Sequence, residues 1–132
     1  MIFARYASVL LLAASMAACA HSPDVARHLD GAWQVEHART ANGQTVVFEG
    51  DDRAHGEGGC NRWFADVLAN GAGELRFGPV GATRRACIDT GAQQHETTFL
   101  SMLTQVRSYR LVAADRVELL DTEGKVVGTL RR

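Results

Sequence analysis

A change of hydrophobic period near residue 90 constrains the fold of this chain more than any other feature. Over most of the sequence, apolar and polar residues alternate in short runs between Gly-, Asn- and Asp-containing turns, which is typical of half-buried strands. After a capping signal at Asp89 and Thr90, the repeat steps by three or four positions through Glu96, Phe99, Leu100, Leu103 and Val106. The pattern predicts a single amphipathic helix over residues 92–106.

The alternating runs predict strands on both sides of this helix. They cover residues 33–35, 45–49, a segment from 53 into the Gly-rich 56–59, 62–68, 74–77, 82–87, 109–111, 117–119 and 126–130. One helix among many short antiparallel strands indicates an α+β domain. The expected architecture is a curved antiparallel sheet or a cracked β-barrel with one helix packed against it.

Length and charge limit the class of function. A chain of 132 residues favours one domain over two. Its 14 Lys and Arg residues are matched by 15 Asp and Glu residues. This balance argues against a nucleic-acid binder that works through bulk charge, and against a polybasic membrane binder.

The first twenty residues have the pattern of an export signal. Arg5 precedes an apolar run from Tyr6 to Ala20. That run is shorter than the roughly 20 apolar residues needed to span a bilayer. A charged start, a short apolar stretch and small residues at its end indicate a secretory signal peptide.

The end of this signal resembles the lipobox of bacterial lipoproteins. The sequence MAAC at positions 16–19 places small residues before Cys19, and the resemblance implies that Cys19 carries lipid and begins the mature chain. Because Ala20 follows it rather than Asp, the resemblance implies an anchor in the outer membrane, on the periplasmic side. The alternative is cleavage after Ala20, which would give a soluble periplasmic protein. The expected segments are a signal peptide (1–18), a tether (19–28) and a domain (29–132).

Two further cysteines, Cys60 and Cys87, need a separate explanation. An oxidising compartment outside the cytoplasm favours a disulfide between them. Two other interpretations stay open. One is a metal site made by His55, Cys60, Cys87 and His95, although these spacings do not match the usual zinc patterns. The other is a catalytic thiol, although the chain has no CxxC motif.

Several motifs, in order along the chain, resemble those of the META domain family. GEGGCNRWF at 56–64 is similar to the family's G-x-x-G-C-N-R-[FY], and LRFGPV and TRRAC at 75–80 and 83–87 resemble its companion motif. LDGAW at 29–33 resembles the family's opening. The motif residues are Gly59, Cys60, Asn61, Arg62, Thr83, Arg84 and Cys87. The resemblance implies a cracked antiparallel barrel with one helix.

Some motif residues also have a direct physical interpretation. Asn61 follows an irregular Gly-rich segment and can hydrogen-bond the exposed backbone groups beside it. Arg62 and Arg84 can pair with carboxylates such as Asp66 or Glu96, or can lie solvated on the surface.

The META resemblance also carries an expectation about function. The family includes heat-inducible outer-membrane lipoproteins of the HslJ type, linked to stress and antibiotic tolerance. This implies a non-enzymatic, lipid-anchored envelope protein that acts through another envelope component, with no cofactor and no metal. The chain carries no G-x-S-x-G, HExxH or P-loop motif, and we therefore rank an enzyme below the other interpretations.

The alternative function is a binding module inside the barrel. A cracked barrel can hold an acyl chain or a small hydrophobic ligand between its sheet and its helix. The expected lining residues are Trp63, Phe64, Phe77, Phe99, Leu103 and Tyr109. The competing interpretation is that they fill the core, where a domain of this size needs them.

Overall fold

Nine strands and one long helix make up the part of the chain that the structure describes. This computed structural model describes residues 28–36, 43–50, 52–70, 72–85 and 87–132. The expected signal peptide, its Cys19 and the tether up to residue 27 lie outside the described residues. None of the helices within them has the length and apolar character needed to cross a membrane.

The strands and the helix occur in the order that the hydrophobic pattern predicts. In chain order they are β1 (Gly31–Val35), β2 (Thr45–Glu49), β3 (Arg53–Glu57), β4 (Arg62–Ala69), β5 (Leu75–Phe77), β6 (Gly81–Ala82), α1 (Thr90–Gln105), β7 (Ser108–Ala113), β8 (Arg116–Leu120) and β9 (Val126–Arg131). The α+β class and the single long helix are confirmed. The prediction for residues 82–87 was too long, because the regular pairing ends at Ala82.

The strands form one strongly curved antiparallel sheet. Their order is β5-β4-β3-β2-β1-β9-β8-β7, and β6 pairs with β4 beside β5. The two ends of the sheet then meet: Glu74 bridges to Ser108, and the Tyr109 amide donates to the carbonyl of Gly73 at 2.9 Å. The sheet is therefore a nearly closed barrel, as the cracked-barrel prediction required.

The first and last strands of the domain also meet. β1 pairs with β9 through only two residue pairs, Gln34 with Arg131 and Val35 with Leu130. Arg132 strengthens this contact, because its guanidinium lies 3.9 Å from the centre of the Trp33 ring and donates to the carbonyl of His28. The start and the end of the domain are thus held together at one side of the barrel.

The core lies between the inner face of the sheet and the helix. Strand alternation turns every second side chain inward, so that β4 buries Trp63, Ala65 and Val67. The helix contributes Phe99 and Leu103 to the same cluster. Its first turn is closed by Asp89, whose carboxylate accepts the amide of Gly91 at 2.8 Å, as the capping signal predicts.

Gly56 in β3 has no room for a side chain. A Cβ at this position would lie 2.1 Å from the carbonyl oxygen of Thr45 on β2. We expect Gly56→Ala to lower the free energy of unfolding by about 1–3 kcal/mol, because the backbone of β2 must move to accept the methyl group. Urea unfolding measures this difference.

The matched control for Gly56→Ala is Gly78→Ala. A Cβ at Gly78 would meet the carbonyl oxygen of Asp66 at 3.4 Å, an ordinary contact distance. We expect a clearly smaller effect there. Equal losses in the two variants would show that the close approach to Thr45 does not limit this position.

Candidate functional site

The family motif forms a tight turn between β3 and β4. The Gly58 amide donates to the carbonyl of Asn61 at 2.8 Å, and Gly59 has a φ of 112°, which favours glycine. Cys60 in this turn is bonded to Cys87, 27 residues along the chain, and their Cα atoms are 5.8 Å apart. The predicted disulfide is confirmed.

A buried carboxylate from the helix holds this turn. Glu96 is only 5% exposed, and its Oε1 accepts the backbone amides of Cys60 at 3.2 Å and Asn61 at 2.5 Å. Its Oε2 accepts the side-chain amide of Asn61 at 2.8 Å. Three donors therefore satisfy the carboxylate and fasten α1 to the turn.

Asn61 extends the same network to the segment after β6. Its Oδ1 accepts the Arg85 amide at 2.6 Å and the Thr83 hydroxyl at 3.2 Å. The Thr83 oxygen in turn accepts the Arg62 amide at 3.1 Å. The Thr83 amide still donates to the carbonyl of Arg62 on β4 at 2.9 Å, whereas the Arg85 amide is bonded to a side chain, so the segment leaves the sheet between these two residues.

Gln44 completes the buried polar cluster from the other side of the turn. Its side-chain amide donates to the carbonyls of Gly58 at 3.0 Å and His95 at 3.2 Å. Gly58 leaves room for the carboxylate, since a Cβ there would lie 2.5 Å from the Oε1 of Glu96. We call the side chains of Gln44, Asn61, Thr83 and Glu96 the turn network.

The motif arginines lie outside the turn network. Arg62 pairs with Glu57, with 3.3 Å between Nε and Oε1, and both side chains are largely exposed. Arg62 thus pairs with a carboxylate on the surface, but its partner is Glu57 rather than Asp66 or Glu96, whose carboxylate accepts the amides of the turn. Arg84 is exposed, as its surface interpretation predicts.

The four candidate metal ligands do not come together. The His55 ring bonds Glu49 on the outer face of the sheet, with 3.0 Å between Nε2 and Oε1. Among the described residues, the ligand atoms of Cys60, Cys87 and Glu96 lie within 4.8 Å of one another. Both sulfurs are in the disulfide, so neither is a thiolate that can bind a metal or attack a substrate.

Five of the candidate lining residues are buried together. The Trp63 ring meets Phe77 and Phe99 nearly edge to face, with ring centroids 6.0 and 5.9 Å apart. Leu103 and Tyr109 belong to the same cluster. Phe64 is different: it is 58% exposed on the outer face of β4, because it follows the inward-facing Trp63.

Tyr109 gives the core a dependence on alkaline pH. Burial raises the pKa of its hydroxyl above the usual 10.0. The folded protein then resists ionisation that the unfolded chain undergoes from about pH 10. We expect the contribution of Tyr109 to the free energy of unfolding to be fully present below that pH and to be lost as the pH rises through the pKa of the folded state. Melting temperatures between pH 8 and 11 should fall less steeply for Tyr109→Phe, and parallel curves would contradict this.

Cavities formed by the described residues open on the outside of the barrel, and two of them are well defined. One, of about 500 Å³, lies over β2, β3 and β4 and is lined by Phe64 among others. The other, of about 490 Å³, lies between α1 and β9, beside Met102 and Val127. The buried lining candidates Trp63, Phe77 and Phe99 contribute to neither of them.

The fold and the turn network together define a class of protein: a nearly closed antiparallel barrel whose single helix is fastened to a disulfide-bonded turn. The META domain family model matches residues 25–132. The chain belongs to the META domain family.

Solved structures show the same fold. An NMR structure of a protein from Burkholderia xenovorans superposes with a TM-score of 0.61 at 23% sequence identity, and the match covers 98% of each chain. A second NMR structure gives a TM-score of 0.56 at 18% identity, covering 78% of this chain and 89% of the other. No curated protein matches the chain.

The roles of Glu96 and Gln44 in the turn network were not predicted from the sequence. Glu96 lies on the helix face that carries Phe99 and Leu103, and a carboxylate on an apolar face is a signal of a buried hydrogen-bond partner. Gln44 adjoins a predicted strand and carries no comparable signal. Its donation across the turn follows only from the folded barrel.

Proposed function

We propose that this protein is a non-enzymatic, lipid-anchored component of the bacterial envelope. It is attached through Cys19 to the periplasmic side of the outer membrane and acts by binding another envelope component. The observation that carries this proposal is the Cys60–Cys87 disulfide, which suits an oxidising compartment. It also leaves Cys19 as the one cysteine of the sequence to be explained, and the MAAC sequence explains it.

The chemistry of the turn network supports a binding role over a catalytic one. Each oxygen of the Glu96 carboxylate already accepts hydrogen bonds from the turn. The two sulfurs of Cys60 and Cys87 are bonded to each other. A nucleophile or general base must face a substrate, whereas Glu96 is buried against the turn and neither sulfur is a free thiolate.

Family membership supports the link to envelope stress and antibiotic tolerance. The expected phenotype of a deletion strain is increased sensitivity to heat or to an envelope-active antibiotic. Expression of the wild-type chain in this strain should reverse the sensitivity. Expression of the Cys19→Ser variant should reverse it less completely, because the domain then lacks its lipid anchor. Full restoration by Cys19→Ser would contradict a role for the anchor.

Intact-mass measurement tests the anchor and its state directly. The full chain is expressed in a double-membraned bacterium and extracted gently from the envelope without reductant. We expect an acylated mass beginning at Cys19, lighter by the two hydrogens lost in the disulfide. An unacylated mass beginning at His21 would mean cleavage after Ala20 and a soluble periplasmic protein.

The same extract separates the two binding interpretations. A partner captured by crosslinking in the envelope supports interaction with another component. A small hydrophobic molecule that survives extraction would instead support the acyl-chain alternative. That alternative requires the buried aromatic rings to move apart, because in this structure the Trp63 ring contacts both Phe77 and Phe99.

A further inference from the structure

The outer face of the barrel carries a groove with an exposed aromatic ring. Strand register aligns Val47, His55, Phe64 and Gly81 in one row across β2, β3, β4 and β6. Phe64 is 58% exposed in this row and lines the cavity of about 500 Å³. An exposed phenylalanine inside a groove differs from one scattered singly on a surface, because the walls of the groove define where a ligand sits.

One side of the Phe64 ring lies against β6. A Cβ at Gly81 would lie 2.5 Å from two of its ring atoms, so the ring lies against the glycine backbone of β6. The absence of a side chain at Gly81 provides the space for it. One side of the ring is thus supported by the protein, while the other remains open to the groove.

Charged side chains of both signs surround this ring. Glu49, Arg53 and Asp66 are aligned in the next row of the sheet, and Glu49 also bonds the His55 ring. All four line the groove. The groove thus holds two carboxylates and one guanidinium, so charges of both signs line it and hydrogen-bonding groups of both kinds are available to a polar ligand.

We propose that this groove binds a pyranose ring of a saccharide. The envelope component of the proposed function is then a glycan, and this inference rests on that function. The apolar C–H face of a pyranose can stack on the open, electron-rich face of Phe64. Its hydroxyls can donate to Glu49 and Asp66 and accept from Arg53. An acyl chain would desolvate these charged groups without offering them hydrogen bonds.

The size of the groove agrees with a ligand of this kind. Small-molecule sites commonly measure about 300–1,000 Å³. The groove of about 500 Å³ is within that range and is open along the surface of the sheet. An open groove accepts one or two rings of a longer chain without requiring the chain to end there.

Sedimentation with glycans tests this inference on the full chain in detergent. One arm uses peptidoglycan glycan strands stripped of their peptides, and the other uses lipopolysaccharide. Both glycans contain pyranose rings, and comparing how much protein each one binds identifies which glycan the groove recognises. We expect the wild-type protein to bind one of them. Binding only to intact peptidoglycan, and not to stripped strands, would assign the groove to a peptide and overturn the inference.

Substitutions at Phe64 distinguish stacking from apolar coverage. Phe64→Leu keeps an apolar side chain but removes the aromatic face, and we expect the Kd to rise about tenfold or more, while Phe64→Tyr stays within about twofold of wild type. Leu68→Ala is the matched control. Leu68 lies on the same face of the same strand and is 53% exposed, but it does not line the groove.

The outcomes separate this inference from the function on which it rests. Equal glycan binding by Phe64→Leu and wild type, with matching melting temperatures, would overturn the saccharide site. So would a wild-type protein that binds neither glycan. If that protein is still acylated and crosslinks to an envelope protein, the proposed function stands. An unacylated protein that binds glycan through Phe64 would contradict the anchor alone.

Discussion

Replacing Glu96 with alanine is expected to lower the free energy of unfolding by about 3 kcal/mol or more. The substitution leaves the amides of Cys60 and Asn61 and the side-chain amide of Asn61 without their acceptor. An unsatisfied buried donor costs about 1–3 kcal/mol, and these costs are only partly additive when water enters the space. Chemical denaturation followed by circular dichroism measures the loss.

Two further substitutions assign this effect to the turn network. Glu96→Gln should have an intermediate effect, because one amide oxygen still accepts while its NH₂ faces the NH₂ of Asn61. Asn61 cannot simply flip, since its oxygen already accepts Thr83 and Arg85. Glu57→Ala removes an exposed partner of Arg62 and should change stability by about 0–1 kcal/mol. A Glu96→Ala variant as stable as Glu57→Ala would refute the network.

Removing the disulfide is expected to lower the free energy of unfolding by about 2–5 kcal/mol. The bond joins residues 27 positions apart and so restricts the unfolded chain. The double substitution Cys60→Ala and Cys87→Ala is the cleaner variant, because a single one leaves an unpaired thiol that can form disulfides between molecules. For a domain of ordinary stability, roughly 5–15 kcal/mol, this loss is a large fraction.

Reduction of the wild-type protein provides an independent measurement of the same bond. Treated with reductant, the wild type should melt at about the temperature of the double variant, which itself should not respond to reductant. A wild type that melts identically with and without reductant would contradict the prediction. Combining the double variant with Glu96→Ala should give a non-additive loss, because Cys60 belongs to both the bond and the network.

Local pattern was sufficient to predict most elements of this fold. In β4 the buried residues Trp63, Ala65 and Val67 follow the alternation of apolar and polar residues in the sequence. The same alternation should have placed Phe64 outside, because neighbouring side chains in a strand point to opposite faces. The expectation that it lines the interior was an error of strand geometry that the sequence itself could have corrected.

The remaining features of the fold are contacts between residues far apart in the sequence, which a local hydrophobic pattern does not predict. Glu96 accepts the amide of Asn61, which lies 35 positions away in the sequence. A carboxylate on the helix does not by itself indicate which amides it will accept. The bridge between Glu74 and Ser108 depends on how strongly the whole sheet curls. Tertiary closure, rather than propensity, fixes these contacts.

The meeting of β1 with β9 has a consequence for how the molecule is made. A protein emerges from the ribosome, or from an export channel, with its N-terminus first. β1 therefore lacks one of its neighbours until β9 has been made, because its contacts with Arg131 and Arg132 join opposite ends of the domain. The barrel cannot close while only part of the domain has emerged. Synthesis in one direction thus delays the last step of folding, and the strands made first remain open at this side until β9 reaches them.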